Sequence, residues 1–466
     1  MISRRSVLQC ITAGSLVGLV GQTGSTAQPE STADGTAQNA TGKLRVSPTS
    51  VHYDEPFTLM VSGVAPGTAV TITARTFDRE GRQWASFATF TASSKGVVDI
   101  ETYAPVAGTY ETVSPMGLIW SMRPTDGESS IYAPPEGGSD LTLTASADGR
   151  QIGQQTVTRW FGPKKLHTEV SPDGLLGTLF RPSGDGPHPG VIVLHGSGGQ
   201  PAVGSALMLA DHGYAAFAPQ YFGPSDAVPD QLAEVPLEYL QRGYDWLTSR
   251  PAVRDGSVGL LGTSKGAELA LLAGATFDWV GAVAAYAPSG IVWAGLTYGG
   301  EMTSSWTLDG DPVSFVPTAF PPSVIADYVA SWPLGGSVSL RPTYEVGLEQ
   351  ASTERISEAT IPVENIDGPV TLVSGGDDRL WPSATFGRMV VRRLRNHEHS
   401  YPVRHVTTET AGHAISFPYQ PTTGLTAISS PPPGTTMALG GSPEGLARAN
   451  KESWPVVLST LKEGLS

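Results

Sequence analysis

The side chains in this sequence best suited to chemistry are a serine set between glycines and, much later, an acid followed by a histidine. Gly262, Thr263, Ser264, Lys265 and Gly266 form a G-x-S-x-G pentapeptide. A serine hydroxyl attacks a carbonyl once a base takes its proton, and a carboxylate orients that base. Alone the pentapeptide is a weak signal, because a chain holding 55 glycines produces such patterns by chance. Its setting carries the weight. The apolar run SVGLL (257–261) precedes it, and KGAELALL (265–272) reads as a helix directly after it. Strand, sharp turn and helix in that order make a nucleophile elbow, which lifts the serine oxygen above the C-terminal edge of a sheet. The flanking glycines let so tight a turn pack.

In that arrangement the acid and then the histidine follow the serine in the chain. His397, His399, His405 and His413 lie downstream. His413 stands just after the strand-like run 403–407, where a loop at the sheet edge would carry a base. His397 and His399 sit among Arg395, Asn396 and Glu398 on a solvated helix end, and His405 falls within the strand and reads as structural. The preceding apolar run, 370–374, ends in Gly375, Gly376, Asp377, Asp378 and Arg379. Two carboxylates therefore compete: one orients the imidazole, the other caps the turn or binds Arg379. Position alone favours Asp378 without excluding Asp377. An oxyanion needs two backbone N–H donors. Lys265, after the nucleophile, supplies one, and the loop His195-Gly196-Ser197-Gly198-Gly199 supplies the other through Ser197 or Gly196. His195 precedes the nucleophile and reads as a loop-structuring residue.

The elements that must position these residues begin near residue 165. GVIVL (190–194) is a continuous apolar run, as expected of a strand buried on both faces of a parallel sheet. Helical and apolar runs then alternate: a helix at 203–212, strands at 215–218, 258–261, 280–285, 370–374 and 403–407, and helical spacing at Leu237, Leu240, Tyr244 and Leu247. This predicts an α/β-hydrolase fold over residues 163–466, a mostly parallel sheet with helices on both faces. Residues 288–361 break the pattern and read as an irregular insertion forming a lid or binding loop. Trp293, Tyr298 and Trp306 within it are candidates to line a substrate pocket, or else simply to pack the lid. Upstream, AVTITAR (69–75) and Leu141, Leu143 and Ala145 alternate with period two, and Asp148-Gly149 predicts a hairpin turn. An immunoglobulin-like β-sandwich over residues 43–162 fits that spacing.

The formal charge of −14 has no basic run behind it, which argues against nucleic acid as a partner. Residues 1–27 carry Arg4 and Arg5, a short apolar stretch and small residues, and resemble a twin-arginine export signal. The apolar part, 7–21, is too short for a comfortable membrane span. Residues 28–42 are small and polar, a flexible linker with a glycosylation tripeptide at Asn39-Ala40-Thr41. Export with cleavage would remove Arg4, Arg5 and Cys10, taking the charge to −16 and leaving no cysteine. Neither a metal-ligand pattern nor a nucleotide-binding loop is evident, so no cofactor is expected, and the oligomeric state is open.

Several segments together resemble the acyl-CoA thioesterase and bile-acid-CoA:amino-acid N-acyltransferase family. They are SPMGLIW (114–120), LAEVPLEY (232–239), VGLLGTSKGAEL (258–269), GDDRLW (376–381), GHAISFP (412–418) and GGSP (440–443). The resemblance implies Ser264 as nucleophile, Asp378 as triad acid and His413 as base. Members with serine as nucleophile tend to hydrolyse, while those with cysteine tend to pass the acyl group to an amino acid. Water is thus the expected acceptor and an acyl thioester or ester the expected substrate. The export signal departs from the pattern, since coenzyme A thioesters are intracellular. A carboxylesterase with another substrate, an N-acyltransferase and a non-catalytic surface binding protein are the competing readings.

Overall fold

The computed structural model describes residues 42–127, 130–162, 166–170, 174–297, 301–430 and 435–466. The signal, all of the linker but Gly42, and Tyr298 lie outside the described residues. In the first part of the chain the principal strands are β1 (Lys43–Ser47), β2 (Ser50–His52), β3 (Thr58–Ser62), β4 (Ala69–Phe77), β5 (Gln83–Thr91), β6 (Val97–Asp99), β7 (Ser139–Ala147) and β8 (Arg150–Trp160). Strands β1, β3 and β6 form one sheet; β2, β8, β7, β4 and β5 lie in that order in the other. Alternation decides which side chains face inward. Val70, Ile72 and Ala74 of β4 are fully buried, as are Leu143 and Ala145 of β7, and they meet Leu59, Val61 and Val98 of the smaller sheet in one cluster. Asp148 and Gly149, at φ 49° and 74°, make the left-handed turn that the hairpin β7–β8 requires.

A second sheet organises the rest of the chain. Its strands are β9 (Leu166–Val170), β10 (Gly177–Arg181), β11 (Gly190–Leu194), β12 (Ala215–Pro219), β13 (Val258–Thr263), β14 (Val280–Tyr286), β15 (Val370–Gly375) and β16 (Val403–Thr408). They lie in the order β9-β10-β12-β11-β13-β14-β15-β16. The pairings of β10 with β9 and with β12 are antiparallel, and all the others are parallel. Every residue of β11, β12, β14 and β15 is buried, which is why they read as unbroken apolar runs.

Both faces are covered. Besides the single turn α1 (Gly117–Trp120) of the sandwich, the helices are α2 (Val203–Asp211), α3 (Glu238–Thr248), α4 (Lys265–Thr276), α5 (Pro322–Leu334), α6 (Arg341–Gln350), α7 (Thr353–Ala359), α8 (Ser383–Asn396) and α9 (Pro443–Gly464). Leu240 of α3, Leu269 of α4 and Val390 of α8 pack with Ile192, Leu260 and Leu372 on one face. On the other, Leu207 of α2 and Leu446 and Val457 of α9 join Val191, Val193 and Ala284 in the same apolar cluster as the sandwich interior. This is the α/β-hydrolase topology with the β-domain packed on one side of it.

The expectation of an irregular insertion at 288–361 is corrected: it contains α5, α6 and α7 and the short strand Trp306–Leu308. Only Val324 and Ser331 of α5 are buried among its described side chains, so no apolar stripe marks it as a helix in the sequence.

Polar contacts cross between the sandwich and α2 in a reciprocal pair. His52 Nδ1 lies 2.7 Å from Asp211 Oδ2, and Asp54 Oδ2 lies 2.6 Å from His212 Nε2 while accepting from Trp454 Nε1 at 2.8 Å. Burial alone would raise the Asp54 carboxyl, but the hydrogen bond and charge of His212, with Trp454, bring it below the ordinary carboxylate value. Its folded pKa is thus depressed, so its stabilisation is present above the unfolded value, ~3.9, and is lost as pH falls through the folded one. Asp54→Asn should therefore cost about 1.5–3 kcal/mol at pH 7, a hydrogen bond to a charged group being of that order. Thermal unfolding of both proteins from pH 7 into acid checks this: the gap should close below about pH 4, and a constant gap would refute it.

Candidate active site

Strand β13 ends in a turn that no ordinary residue adopts without cost: Ser264 has φ 59° and ψ −122°. The reason for its glycine neighbours is steric. A Cβ on Gly262 would lie 2.0 Å from Gly266 O, and one on Gly266 would lie 2.4 Å from His195 O. The Ser264 N–H donates to Tyr286 O of β14 at 2.9 Å, and Ser264 O accepts from Ala267 and Glu268 as α4 begins. The hydroxyl-bearing residue is thereby fixed at the C-terminal edge of the sheet, only 7 % exposed.

The same edge carries the acid and the imidazole. Asp378 follows β15, and its fully buried carboxylate lies with Oδ2 2.8 Å from His413 Nδ1. Asp378 Oδ1 accepts from the Leu380 and Trp381 amides at 3.0 and 3.2 Å. Asp377 faces the other way: Oδ1 accepts from Arg379 Nε at 2.6 Å and Oδ2 from the Gly441 amide at 3.0 Å. The structure therefore joins Asp378, not Asp377, to His413. A carboxylate at Nδ1 sets the tautomer that leaves Nε2 unprotonated, as a base needs. His413 Nε2 makes no hydrogen bond among the described residues. The bond to the nucleophile in such sites often tightens only with substrate in place.

The loop after β11 closes against the serine from the opposite side. A Cβ on Gly196 would lie 3.3 Å from Ser264 Cβ, so this loop passes directly over the nucleophile. The Lys265 amide, at the first position of α4, has no intrahelical acceptor, which suits it to an oxyanion. His195 is 4 % exposed, and burial lowers its pKa to about 4 against the opposing hydrogen bond to Gly196. The ring is therefore neutral, donates from Nδ1 to Gly196 O at 2.8 Å and stacks on Tyr221 with centroids 4.0 Å apart. It shapes the loop that holds Gly196 and Ser197. His405 is held in β16 by Ser374 Oγ at 2.9 Å, and His397 caps the end of α8. The described residues contain no group of three or more His, Cys, Asp or Glu placed to hold a metal.

Two residues nominated for a substrate pocket are core side chains. Trp293 and Trp306 have no exposed surface, and their ring N–H groups are taken up by Ser289 Oγ and Glu268 Oε1. They are walls behind the site, with no face left for a substrate. What the sequence reading missed lies between them. Lys265 Nζ and Glu268 Oε1 form an ion pair of 2.6 Å, 3 % and 0 % exposed, beneath the nucleophile. Lys265 Nζ also donates to Trp293 O at 3.4 Å, and Glu268 Oε1 accepts from Trp306 Nε1 at 2.8 Å. Burial draws the Lys265 amine down and the Glu268 carboxyl up, each held in check by its partner. Their i, i+3 spacing was a signal in the sequence, but it reads equally as a solvated surface pair. Removing one partner leaves a buried charge alone. Lys265→Met or Glu268→Leu should therefore each cost about 3–5 kcal/mol, and the two together much less. Denaturant unfolding of the three variants decides it; an additive double variant would mean the pair is not coupled.

Comparison with known proteins adds an independent line. The family model for "BAAT / Acyl-CoA thioester hydrolase C terminal" matches residues 235–466, and that for "Acyl-CoA thioester hydrolase/BAAT N-terminal region" matches residues 54–171. Acyl-coenzyme A amino acid N-acyltransferase 1 of Mus musculus is 30% identical, over 88% of this chain and 95% of its own length. Acyl-coenzyme A thioesterase 6 of Mus musculus is 28% identical, over 86% of this chain and 91% of its own. The mitochondrial acyl-coenzyme A thioesterase 2 of Homo sapiens is 29% identical, over 86% of this chain and 80% of its own.

Proposed function

As the chain belongs to the family of acyl-CoA thioester hydrolases and bile acid-CoA:amino acid N-acyltransferases, we propose that it is a serine hydrolase cleaving acyl-coenzyme A thioesters through an acyl-enzyme. The observation that carries the reading is the buried Asp378–His413 pair on the same sheet edge as the strained Ser264. His413 Nε2 takes the Ser264 proton as Oγ attacks the thioester carbonyl carbon. The oxyanion rests on the Lys265 amide and one from the Gly196–Ser197 loop. Collapse breaks the carbon–sulfur bond, the thiol leaves with a proton from His413, and water then attacks the ester by the reverse sequence. Asp378 keeps the imidazole oriented and stabilises its charged form.

An amine acceptor is the second reading, because the Mus musculus relative of 30% identity is named an amino acid N-acyltransferase. Serine at the nucleophile favours water. We further propose that residues 1–27 direct export, on the strength of Arg4 and Arg5 before the apolar stretch. No helix among the described residues is long and apolar enough to cross a membrane. If the export reading holds, Arg4→Lys with Arg5→Lys should leave the protein inside the cell on fractionation; unchanged export would refute it.

Purified protein assayed with acyl-coenzyme A, with and without glycine, tests the reaction. Free acid and free thiol should form at the same rate whether or not glycine is present, and an N-acyl amino acid would favour the second reading. Ser264→Ala and His413→Ala should each lower kcat by about a million-fold and Asp378→Asn by about ten-thousand-fold. Asp377→Asn should change it little. A larger loss at Asp377 than at Asp378 would overturn the assignment.

A further inference from the structure

The outer side of α8 carries positive charge that the proposed chemistry leaves unused. Arg388, Arg392 and Arg395 stand at i, i+4 and i+7, which puts them on one face of the helix. All three are exposed, and among the described residues none is ion-paired, whereas Arg393 on the neighbouring face is paired with Glu364. The chain has 43 acidic and 29 basic residues. In such a chain three unpaired guanidinium groups on one face repel one another and draw in an anion.

The arginines also border a shaped space. With Val391, Asn396 and His405 they line a concavity of about 420 Å³ whose lining holds no carboxylate. Ser374 and Thr407 hold the imidazole of His405, which lines this space, at 2.9 and 3.2 Å. A smaller hollow of about 140 Å³ shares Arg388 and reaches Gly376 and Arg341. Glu409 also lines it, and Arg341 is paired with Glu345 at 2.7 Å. The phosphate-seeking charge is therefore strongest in the larger space. Gly376 precedes the Asp377–Asp378 turn, and Arg341 Nη1 donates to Asp378 O at 3.3 Å. The smaller hollow thus reaches the loop that carries the acid, and the larger one adjoins it at Arg388. At 1.5 Å per residue, Arg388 lies about 8 Å and Arg395 about 18 Å along the helix from its first residue.

We infer that the arginine face of α8 is a phosphate-binding subsite that holds the nucleotide end of the leaving thiol. The inference rests on the acyl-coenzyme A reading above. That thiol carries its phosphates on a nucleotide at the far end of a long uncharged arm, away from the carbonyl that reacts. Guanidinium forks match phosphate oxygens two at a time, and such a remote handle supplies binding energy that positions the thioester. The same charge would also hold free phosphate, so the test separates the two.

The triple variant Arg388→Gln, Arg392→Gln, Arg395→Gln changes only exposed side chains. It is compared with wild type on an acyl-coenzyme A and on the same acyl group carried by pantetheine, which has no nucleotide. KM for acyl-coenzyme A should rise about ten-fold or more, the equivalent of one good charged contact. Its salt dependence should flatten, and kcat and the constants for acyl-pantetheine should stay as they were. No rise, or an equal rise for both substrates, overturns the inference. If wild type cleaves neither thioester, the reaction reading has failed, and calorimetry with adenosine 3′,5′-bisphosphate decides the subsite. Binding that is lost in the variant supports it, and absent or undiminished binding overturns it. Inorganic phosphate binding as tightly as the bisphosphate would overturn the assignment to a nucleotide.

Discussion

A residue with a side chain held at φ 59° and ψ −122° costs about 1–3 kcal/mol, and the turn at Ser264 persists because its surroundings leave no alternative. Its amide is bound to β14, its carbonyl starts α4, and glycines on either side admit backbone within 2.0–2.4 Å of where a Cβ would sit. The elbow therefore needs its sheet neighbours already in register. In return it fixes the oxygen, the first amide of α4 and the loop over the serine relative to one another. Preorganised groups of this kind need no rearrangement when charge develops, which is where most catalytic stabilisation originates.

The histidine loop depends on a different support. His413 heads a segment that the β-domain braces: Thr422 N donates to Trp120 O at 3.0 Å, and Arg159 donates to Tyr53 O at 2.6 Å and also to Tyr419 O. Arg159 lies over the Tyr53 ring at 3.9 Å and is 3 % exposed, and its Nη2 serves both carbonyls. Glycines close the other flank, where a Cβ on Gly412 would lie 2.1 Å from Gly440 O. The sandwich shares an apolar cluster with one face of the catalytic sheet. It acts as part of the frame that holds the His413 loop.

How far the sequence could be read depended on burial. Strands enclosed on both faces, such as β11 and β12, are continuous apolar runs and could be placed within a residue or two. Half-buried strands such as β4 declared themselves by alternation. Helix α5 did not, because it buries only Val324 and Ser331 among its described side chains and so has no stripe. Trp293 and Trp306 read either as pocket aromatics or as packing of the lid, because an irregular stretch gives no period to decide between the two. Both are buried among apolar side chains, and Lys265 and Glu268, two charges that any pattern assigns to solvent, lie in contact with them.

Chain order and local pattern by themselves marked the elbow at Ser264, because an elbow is a local event within a dozen residues, and they nominated His413 as its base from its place after the strand 403–407. They favoured Asp378 over Asp377 by position and by family resemblance, without a physical reason that excluded Asp377. The two carboxylates are neighbours, and which one turns inward depends on the backbone of a turn pinned by distant chain. Gly441 N holds Asp377 outward at 3.0 Å, and the Leu380 and Trp381 amides receive Asp378 on the inside, where His413 is waiting. Likewise only the tertiary fold placed a lysine and a glutamate beneath the nucleophile. A buried ion pair requires both partners to lose water together, and that depends on what packs over them.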